Sequence, residues 1–247
     1  MRELEGVHNF REVAGYPVQG GGVMRPGMLF RAGALDLMSE ADAKHLGEEL
    51  RLRTILDLRH GEEIEMRVAP HALDERVILH SIFPEDSALA DVTAELNGLY
   101  GAGISSRRYL HYLDIAGHRF TEAFKMFAEA ESYPMLVHCT AGKDRTGVLI
   151  GMVMEVLGCS PEDIAHEYGL SNAATDRLLA YLVASGRQIE GTEEEIRARL
   201  ATPADRMSGF LELLRDKHGG AEAFFERSGV PRDEIERVRE LLTSKPA

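Results

Sequence analysis

The sequence predicts an α/β fold with a central, largely parallel sheet, flanking helices and a helical C-terminal part. Strand-like and helix-like segments alternate along the first two thirds of the chain, whereas the segments after residue 160 are all helical. The strand-like segments are continuous runs of β-branched and aliphatic residues, which is typical of strands buried on both faces. The 247 residues suffice for one large domain, and we expect a single domain over residues 1–247.

The first elements are short. Residues 16–18 and 28–31 are predicted as two strands joined across the glycine-rich turn at 19–22. A helix is expected at 39–50, because Ser39 and Asp42 have the spacing of a capping box. Residues 53–59 and 77–83 are predicted as buried strands.

A long amphipathic helix is expected at 107–130, where apolar residues recur at helical spacing. A strand at 135–138 follows, and residues 146–157 are apolar almost all round, which predicts a buried helix. Further helices are predicted to start at Ser160-Pro161 and Thr202-Pro203, where a capping side chain precedes proline, and the last covers 232–242.

Composition excludes several classes of function. The chain has 28 Lys and Arg against 41 Asp and Glu, a net charge of −13, which argues against binding nucleic acid or anionic membranes but leaves a local basic pocket open. Its two cysteines cannot form a disulfide framework, and no signal peptide or membrane-spanning run is present. We therefore expect a cytoplasmic protein without integral membrane association, with export lacking a signal peptide still open. Composition does not fix the oligomeric state.

Residues 138–147, HCTAGKDRTG, carry the chemistry. A loop that runs from a strand into a helix N-terminus directs backbone N–H groups inward and forms an anion site. Gly142 permits a tight turn, and the planar guanidinium of Arg145 matches two phosphate oxygens. We therefore predict that Thr140, Ala141, Gly142, Lys143 and Thr146 bind the phosphate of a substrate together with Arg145.

The same positive field favours the thiolate form of a cysteine, so Cys139 is the predicted nucleophile. Thr146 is expected to donate a hydrogen bond to the sulfur. His138 should face the other side of its strand and hold the loop by hydrogen bonds. The chemistry needs neither a metal nor a cofactor. Cys159 lacks this context and is interpreted as structural.

Protonation of the leaving group requires an acid near the pocket, and three aspartates are candidates. Asp57 ranks first, because it ends a central strand at the edge where ligands bind parallel sheets. Asp144 ranks second, because it lies inside the loop but its charge opposes an incoming dianion. Asp86, in the segment after strand 77–83, ranks third.

Two other functions remain open from the residues alone. One is a phosphate-binding module without turnover, although the presence of Cys139, Arg145 and Asp57 argues against it. The other is sulfur transfer of the rhodanese type, whose loops share the order of strand, cysteine, loop and helix. The run Gly-Lys-Asp-Arg-Thr-Gly fits phosphate better.

The sequence resembles the bacterial tyrosine and lipid phosphatases of the protein tyrosine phosphatase superfamily, whose loop reads HCxAGKDRTG. Residues 9–16 are similar to that family's NFRDLGG opening, 25–33 to its RPGxLFRSG element, and 55–59 with Glu62 or Glu63 to its DLRxxxE element. The resemblance implies a phosphatase fold with a mobile helical lid, for which residues 171–206 are the best candidates.

The resemblance also implies substrates among phosphotyrosine or phosphoserine proteins, phosphoinositides or both. Lysines at the position of Lys143 accompany substrates with more than one phosphate. Arg11, Arg31 and Arg59 lie in the matched elements, where they line the pocket, orient Asp144, or form solvated or structural ion pairs. The chain contains no Trp, so no Trp-Pro-Asp acid loop identifies the proton donor.

Overall fold

The computed structural model describes residues 3–65, 72–100, 104–186 and 191–244. The strands are Arg11–Glu12 (β1), Val23–Met24 (β2), Leu29–Ala32 (β3), Thr54–Asp57 (β4), Val77–Leu79 (β5), Met135–His138 (β6) and Thr243–Ser244 (β7). The helices are Glu40–Lys44 (α1), Gly61–Glu65 (α2), Leu89–Tyr100 (α3), Ser106–Lys125 (α4), Asp144–Val156 (α5), Pro161–Gly169 (α6), Thr175–Ala184 (α7), Glu193–Leu200 (α8), Ala204–His218 (α9), Ala221–Arg227 (α10) and Arg232–Leu242 (α11).

The main sheet has the strand order β1-β3-β6-β4-β5, and all neighbours except the edge pair β1–β3 are parallel. Every residue of β3, β4 and β6 is buried, as their continuous apolar sequences predict. Ala32, His138 and Asp57 lie level with one another at the carboxyl ends of these strands. The predicted α/β fold is confirmed, and Cys139 leaves the sheet at its centre.

Helix α5 continues directly from the loop that follows β6. It packs against α4, α6 and α10, and its apolar surface is buried almost all round, as predicted. Helix α4 packs on the same core through aromatic residues, among them Phe124, whose ring stacks on Phe225 at 3.9 Å between centroids. The carboxyl edge of the sheet is thus supported by a continuous apolar core.

The predicted hairpin between residues 16–18 and 28–31 is wrong. Strand β3 does lie at Leu29–Ala32, but it pairs with β1 and β6, because its four buried residues belong in the sheet centre. Residues 16–18 form only a single bridge, from Pro17 to Val23, and β2 pairs with the C-terminal β7 instead.

Two of the three predicted helix caps are present in the structure. The Ser39 capping box is confirmed, although the helix continues beyond α1 as a π-helical turn, His45–Glu49. Ser160 caps α6 by accepting a hydrogen bond from the N–H of Asp163. Thr202 does not cap α9, whose N-cap is Pro203.

Three boundaries also shift: α4 ends at Lys125, β5 ends at Leu79 rather than at residue 83, and α5 begins inside the loop at Asp144. The predicted burial of strand 77–83 is wrong for β5, because β5 is an edge strand of the sheet and leaves Ile78 and Leu79 exposed. Among the helices of the described ranges, none has both the length and the apolar character needed to cross a bilayer.

Candidate active site

A cavity of about 350 Å³ opens at the carboxyl edge of the sheet. Its floor is formed by the segment between β6 and α5 and by the first residues of α5, from which Cys139, Lys143, Asp144 and Arg145 line the cavity together with Thr140 and Ala141. Cys139 is 2% exposed. The loop thus brings the predicted nucleophile, both predicted cations and one candidate acid to a single space.

The carbonyl groups of the loop turn away from this cavity. The oxygen of Thr140 lies 2.9 Å from the backbone nitrogen of Ala34 and 3.0 Å from Nε2 of His8. The side-chain amide of Asn9 donates to the oxygens of Ala141 and Gly142, at 3.1 and 2.9 Å. Because C=O and N–H point in opposite directions across a trans peptide, the following N–H groups face the cavity. The loop therefore has the geometry of an anion cradle.

Gly142 is required at its position for two reasons. Its φ is +65°, a conformation that side chains with a Cβ rarely adopt, and a Cβ here would lie 2.0 Å from the backbone oxygen of Ala32. The loop consequently packs directly on the end of β3.

Arg145 is held in place by Glu63. Its Nη1 and Nη2 lie 2.5 and 2.9 Å from the two carboxylate oxygens, and Thr140 also donates its hydroxyl to Glu63. Burial opposes both charges, but their mutual attraction outweighs it, so the pKa of Arg145 lies above its usual range and that of Glu63 below. This fixes the guanidinium before any phosphate arrives. The family resemblance pointed to Glu62 or Glu63 without giving either a role. In the structure Glu63 is the residue that binds Arg145.

Arg11 and Arg31 form structural ion pairs behind the loop. Both bind the buried carboxylate of Glu167 on α6, with nitrogen–oxygen distances of 2.7 and 2.5 Å. Arg31 also donates to the carbonyl oxygen of Gly142 at 2.6 Å. Burial favours the neutral form of Glu167, but the two arginines outweigh it and lower its pKa. Neither arginine lines the cavity. Of the roles considered for them, structural ion pairing is therefore the one that both adopt.

Asp57 lies in a second buried network and does not line the cavity. Arg59 binds both oxygens of Asp57 and continues to Asp36, whose carboxylate accepts a hydrogen bond from Tyr181 on α7 at 2.7 Å. Nε2 of His138 lies 3.5 Å from Asp57. Burial would raise the pKa of Asp57, but the adjacent His138 ring and the hydrogen bonds and charge of Arg59 outweigh it and lower the pKa. Arg59 therefore also forms structural ion pairs. Asp57, the first-ranked acid, does not line the cavity in which a substrate would bind.

Asp144 does face the cavity, and its side chain is 20% exposed. Its Oδ1 accepts hydrogen bonds from the hydroxyl of Tyr109 at 2.5 Å and from Nζ of Lys143 at 3.1 Å. Burial acts to raise the pKa of Asp144, but Lys143 and the Tyr109 hydrogen bond outweigh it and lower the pKa. Nothing in the sequence around Tyr109 predicts this contact, because the partner of a hydroxyl across the fold leaves no local signal.

The remaining candidates lie away from the chemistry. Asp86 is exposed in the segment after β5 and does not line the cavity. Cys159 is buried, and burial raises its pKa to about 12, which fits a structural thiol. Thr146 is also buried, and its hydroxyl has no hydrogen-bond partner within the described part of the chain. The expected bond from Thr146 to the Cys139 sulfur is thus not formed in this structure.

The roof of the cavity is mostly apolar. It is formed by side chains of α7 and α8 with one residue before α4, namely Leu178, Leu182, Arg199, Leu200 and Ile104. Arg199 is the one cation among them. The roof elements lie within residues 171–206, of which 187–190 are outside the described residues.

Comparison of the sequence with known proteins finds a matching family and several similar chains. Residues 2–244 match the model of the tyrosine phosphatase family. A triple specificity protein phosphatase of Mycobacterium tuberculosis is 26% identical, over 98% of this chain and 99% of its own. A tyrosine-protein phosphatase of Nostoc commune is 24% identical, over 86% of this chain and 73% of its own. An inositol diphosphatase of Saccharomyces cerevisiae is 33% identical over 39% of this chain and 36% of its own.

Proposed function

The chain belongs to the tyrosine phosphatase family, and from this premise we propose that it hydrolyses phosphate monoesters through a phosphocysteine intermediate on Cys139. The observation that carries this proposal is the convergence of Cys139, Arg145 and Asp144 on one cavity. Neither a metal ion nor a cofactor takes part in the steps proposed here.

In the first step the Cys139 thiolate attacks phosphorus while Arg145 and the loop N–H groups bind the non-bridging oxygens. The bond from phosphorus to the ester oxygen breaks, and that oxygen takes a proton from Asp144 and leaves as an alcohol. In the second step a water molecule attacks phosphorus, gives its proton to the Asp144 carboxylate, and releases inorganic phosphate and the thiolate.

Asp144, rather than Asp57, is our proposed acid. Both carboxylates are ionised without substrate, since positive partners lower the pKa of each. Only Asp144 lines the cavity, where the negative charge of a bound phosphate raises its pKa and favours the protonated form. Asp57 is instead bound by Arg59 through both of its oxygens.

The substrate class follows from the roof and the cations. The leucines of α7 and α8 suit an aromatic ester such as phosphotyrosine, while Lys143 and Arg199 suit a second phosphate, as in phosphoinositides. The triple specificity of the mycobacterial relative and the inositol phosphate substrate of the yeast relative support both classes. We further infer that residues 171–206 act as a lid over bound substrate.

The test is hydrolysis of para-nitrophenyl phosphate in the presence of EDTA. Cys139→Ser should remove turnover but keep phosphate binding, because a serine hydroxyl is not ionised at neutral pH, and Cys159→Ser is the matched control that keeps activity. Hydrolysis by Cys139→Ser beyond a trace contradicts the mechanism. Binding without turnover by the unmodified protein indicates a silent module, and turnover of thiosulfate instead indicates sulfur transfer.

A further inference from the structure

Two buried tyrosines lie directly behind Asp144. Tyr109 on α4 is fully buried and donates its hydroxyl to Oδ1 of Asp144 at 2.5 Å. Tyr168 on α6 is 1% exposed, and its hydroxyl oxygen lies 2.7 Å from that of Tyr109. The close approach of α6 depends on Gly147, where a Cβ would lie 2.9 Å from the Tyr168 ring.

The hydrogen bonds of this chain of groups have one direction. Tyr109 has a single hydroxyl proton and gives it to Asp144, so Tyr168 must donate to the oxygen of Tyr109. Nη1 of Arg206 on α9 lies 3.2 Å from the Tyr168 oxygen and donates to it. Burial, followed by the charge of Asp144, raises the pKa of both tyrosines above the ordinary value, so both remain donors. Every donor thus points toward Asp144, and a cation stands at the far end.

The far end also contacts the roof. Nη1 of Arg206 donates to the carbonyl oxygen of Ala201, the C-cap residue of α8, at 2.6 Å. The same guanidinium therefore contacts the end of a roof helix and the hydroxyl chain behind the proposed acid.

We propose that Tyr109 and Tyr168 are positioning residues that fix one oxygen of Asp144, stabilise its ionised form and leave its other oxygen for the substrate. This proposal rests on the role of Asp144 as the acid. The hydroxyl network, which we call the Tyr109–Tyr168 relay, has no use in packing alone, because two phenylalanines would make the same ring contacts at 6.1 Å between centroids.

Other groups also act on Asp144. Those that face it are Lys143 and Arg145 from the loop and α5, Tyr109 and Tyr112 from α4, Tyr168 from α6 and Arg206 from α9. Across the cavity lie Cys139, Glu63 and Arg199. Removing one hydroxyl leaves all of these charges in place, so its effect on Asp144 can be separated from theirs.

The sign of the effect is fixed by hydrogen bonding. A donor to the carboxylate lowers the pKa of Asp144, so its loss raises that pKa. Since the acid acts in its protonated form, Tyr109→Phe should move the alkaline limb of the kcat–pH profile to higher pH by roughly 0.5–1 unit, because the hydrogen bond to the ionised carboxylate is stronger than the one to the protonated form. Tyr168→Phe should move the limb in the same direction by less.

The experiment measures kcat against pH with a phosphotyrosine peptide for Tyr109→Phe, Tyr168→Phe and a control. The control is Tyr133→Phe, which removes another buried hydroxyl, bonded to the oxygen of Phe127 at 2.6 Å, and should leave the limb in place. Thermal unfolding verifies that each variant is folded. If Tyr109→Phe does not fold, Tyr168→Phe still tests the proposal.

Two outcomes are distinguishable. A folded Tyr109→Phe that lowers kcat equally at every pH, with an unmoved limb, overturns the relay while the role of Asp144 stands. An Asp144→Asn variant whose loss is independent of the leaving group overturns Asp144 as the acid, and the relay with it.

Discussion

The floor and the roof of the cavity are built by different physical means. The floor loop is held by buried polar contacts from His8, Asn9, Arg31 and Glu63, and it continues into a helix that is buried almost all round. In the roof helix α8, every residue of which the structure describes, none is buried. Its Arg197 makes ion pairs at the surface, where the side chain is 45% exposed.

This difference separates two requirements of the enzyme. Buried charge pairs are costly to break, so the positions of the nucleophile and of Arg145 are fixed before substrate binds. Surface ion pairs contribute about 0–1 kcal/mol each, so α8 can shift at low cost. We therefore expect changes at Cys139 or Arg145 in the floor to reduce chemistry on all substrates, and changes in the roof to alter the choice among them.

The largest effect is expected for Arg145→Lys. A lysine cannot bind Glu63 and phosphate with a planar fork, so kcat/KM on para-nitrophenyl phosphate should fall roughly 10²–10³-fold or more. Arg53→Lys is the matched control, since Arg53 is 59% exposed and pairs only with Glu131 at the surface in the described structure. Activity near that of the unmodified enzyme in Arg145→Lys would show that the floor needs only a positive charge.

The second prediction separates the two aspartates. Asp144→Asn should lower turnover of a phosphotyrosine peptide by roughly 10²–10⁴-fold but affect an aryl ester with a low-pKa leaving group much less. Asp57→Asn should affect both esters alike and lower the free energy of unfolding by about 3 kcal/mol, because Arg59 loses a buried partner. If Asp57→Asn shows the leaving-group dependence instead, the original ranking is right.

That ranking shows what the sequence can and cannot predict. The cradle is contiguous, since strand, cysteine, loop, arginine and buried helix follow one another, so its order was readable from residues 135–157. The roles of the aspartates depend on partners distant in sequence, such as Asp36 for Arg59 and Tyr109 for Asp144. From the sequence alone Asp57 ranks above Asp144, because none of those partners leaves a local signal.

The same reason explains the other differences. Glu167 binds Arg31 across 136 positions of sequence, and β2 pairs with β7 across more than 200, so neither contact leaves a periodic or local signal. Buried strands and capped helices do leave such signals, so β3, β4 and β6 and the capped helix starts at Ser39 and Ser160 were predicted to within a few residues.

The third prediction concerns the cation at the edge of the floor. Lys143→Ala should lower turnover of a phosphoinositide bisphosphate roughly tenfold more than that of a phosphotyrosine peptide, since a charge-assisted contact is worth about 1.5–3 kcal/mol. Initial rates on both substrates check this with one variant. Equal losses on both would mean that Lys143 serves only the loop and its contact with Asp144.

The smallest effect is expected in the roof. Leu182 on α7 is partly buried and lines the cavity, so its truncation should remove apolar contact with an aromatic substrate without unfolding the helix. At about 0.8 kcal/mol per buried CH₂, Leu182→Ala should raise KM for a phosphotyrosine peptide up to roughly tenfold and leave kcat nearly unchanged. A phosphoserine peptide, which has no aromatic ring for Leu182 to contact, should be affected less.

Val183→Ala, at the adjacent position but 65% exposed, is the matched control. An equal rise in KM for both peptides would show that the roof contributes closure but not selectivity, and a fall in kcat on both would place α7 with the floor.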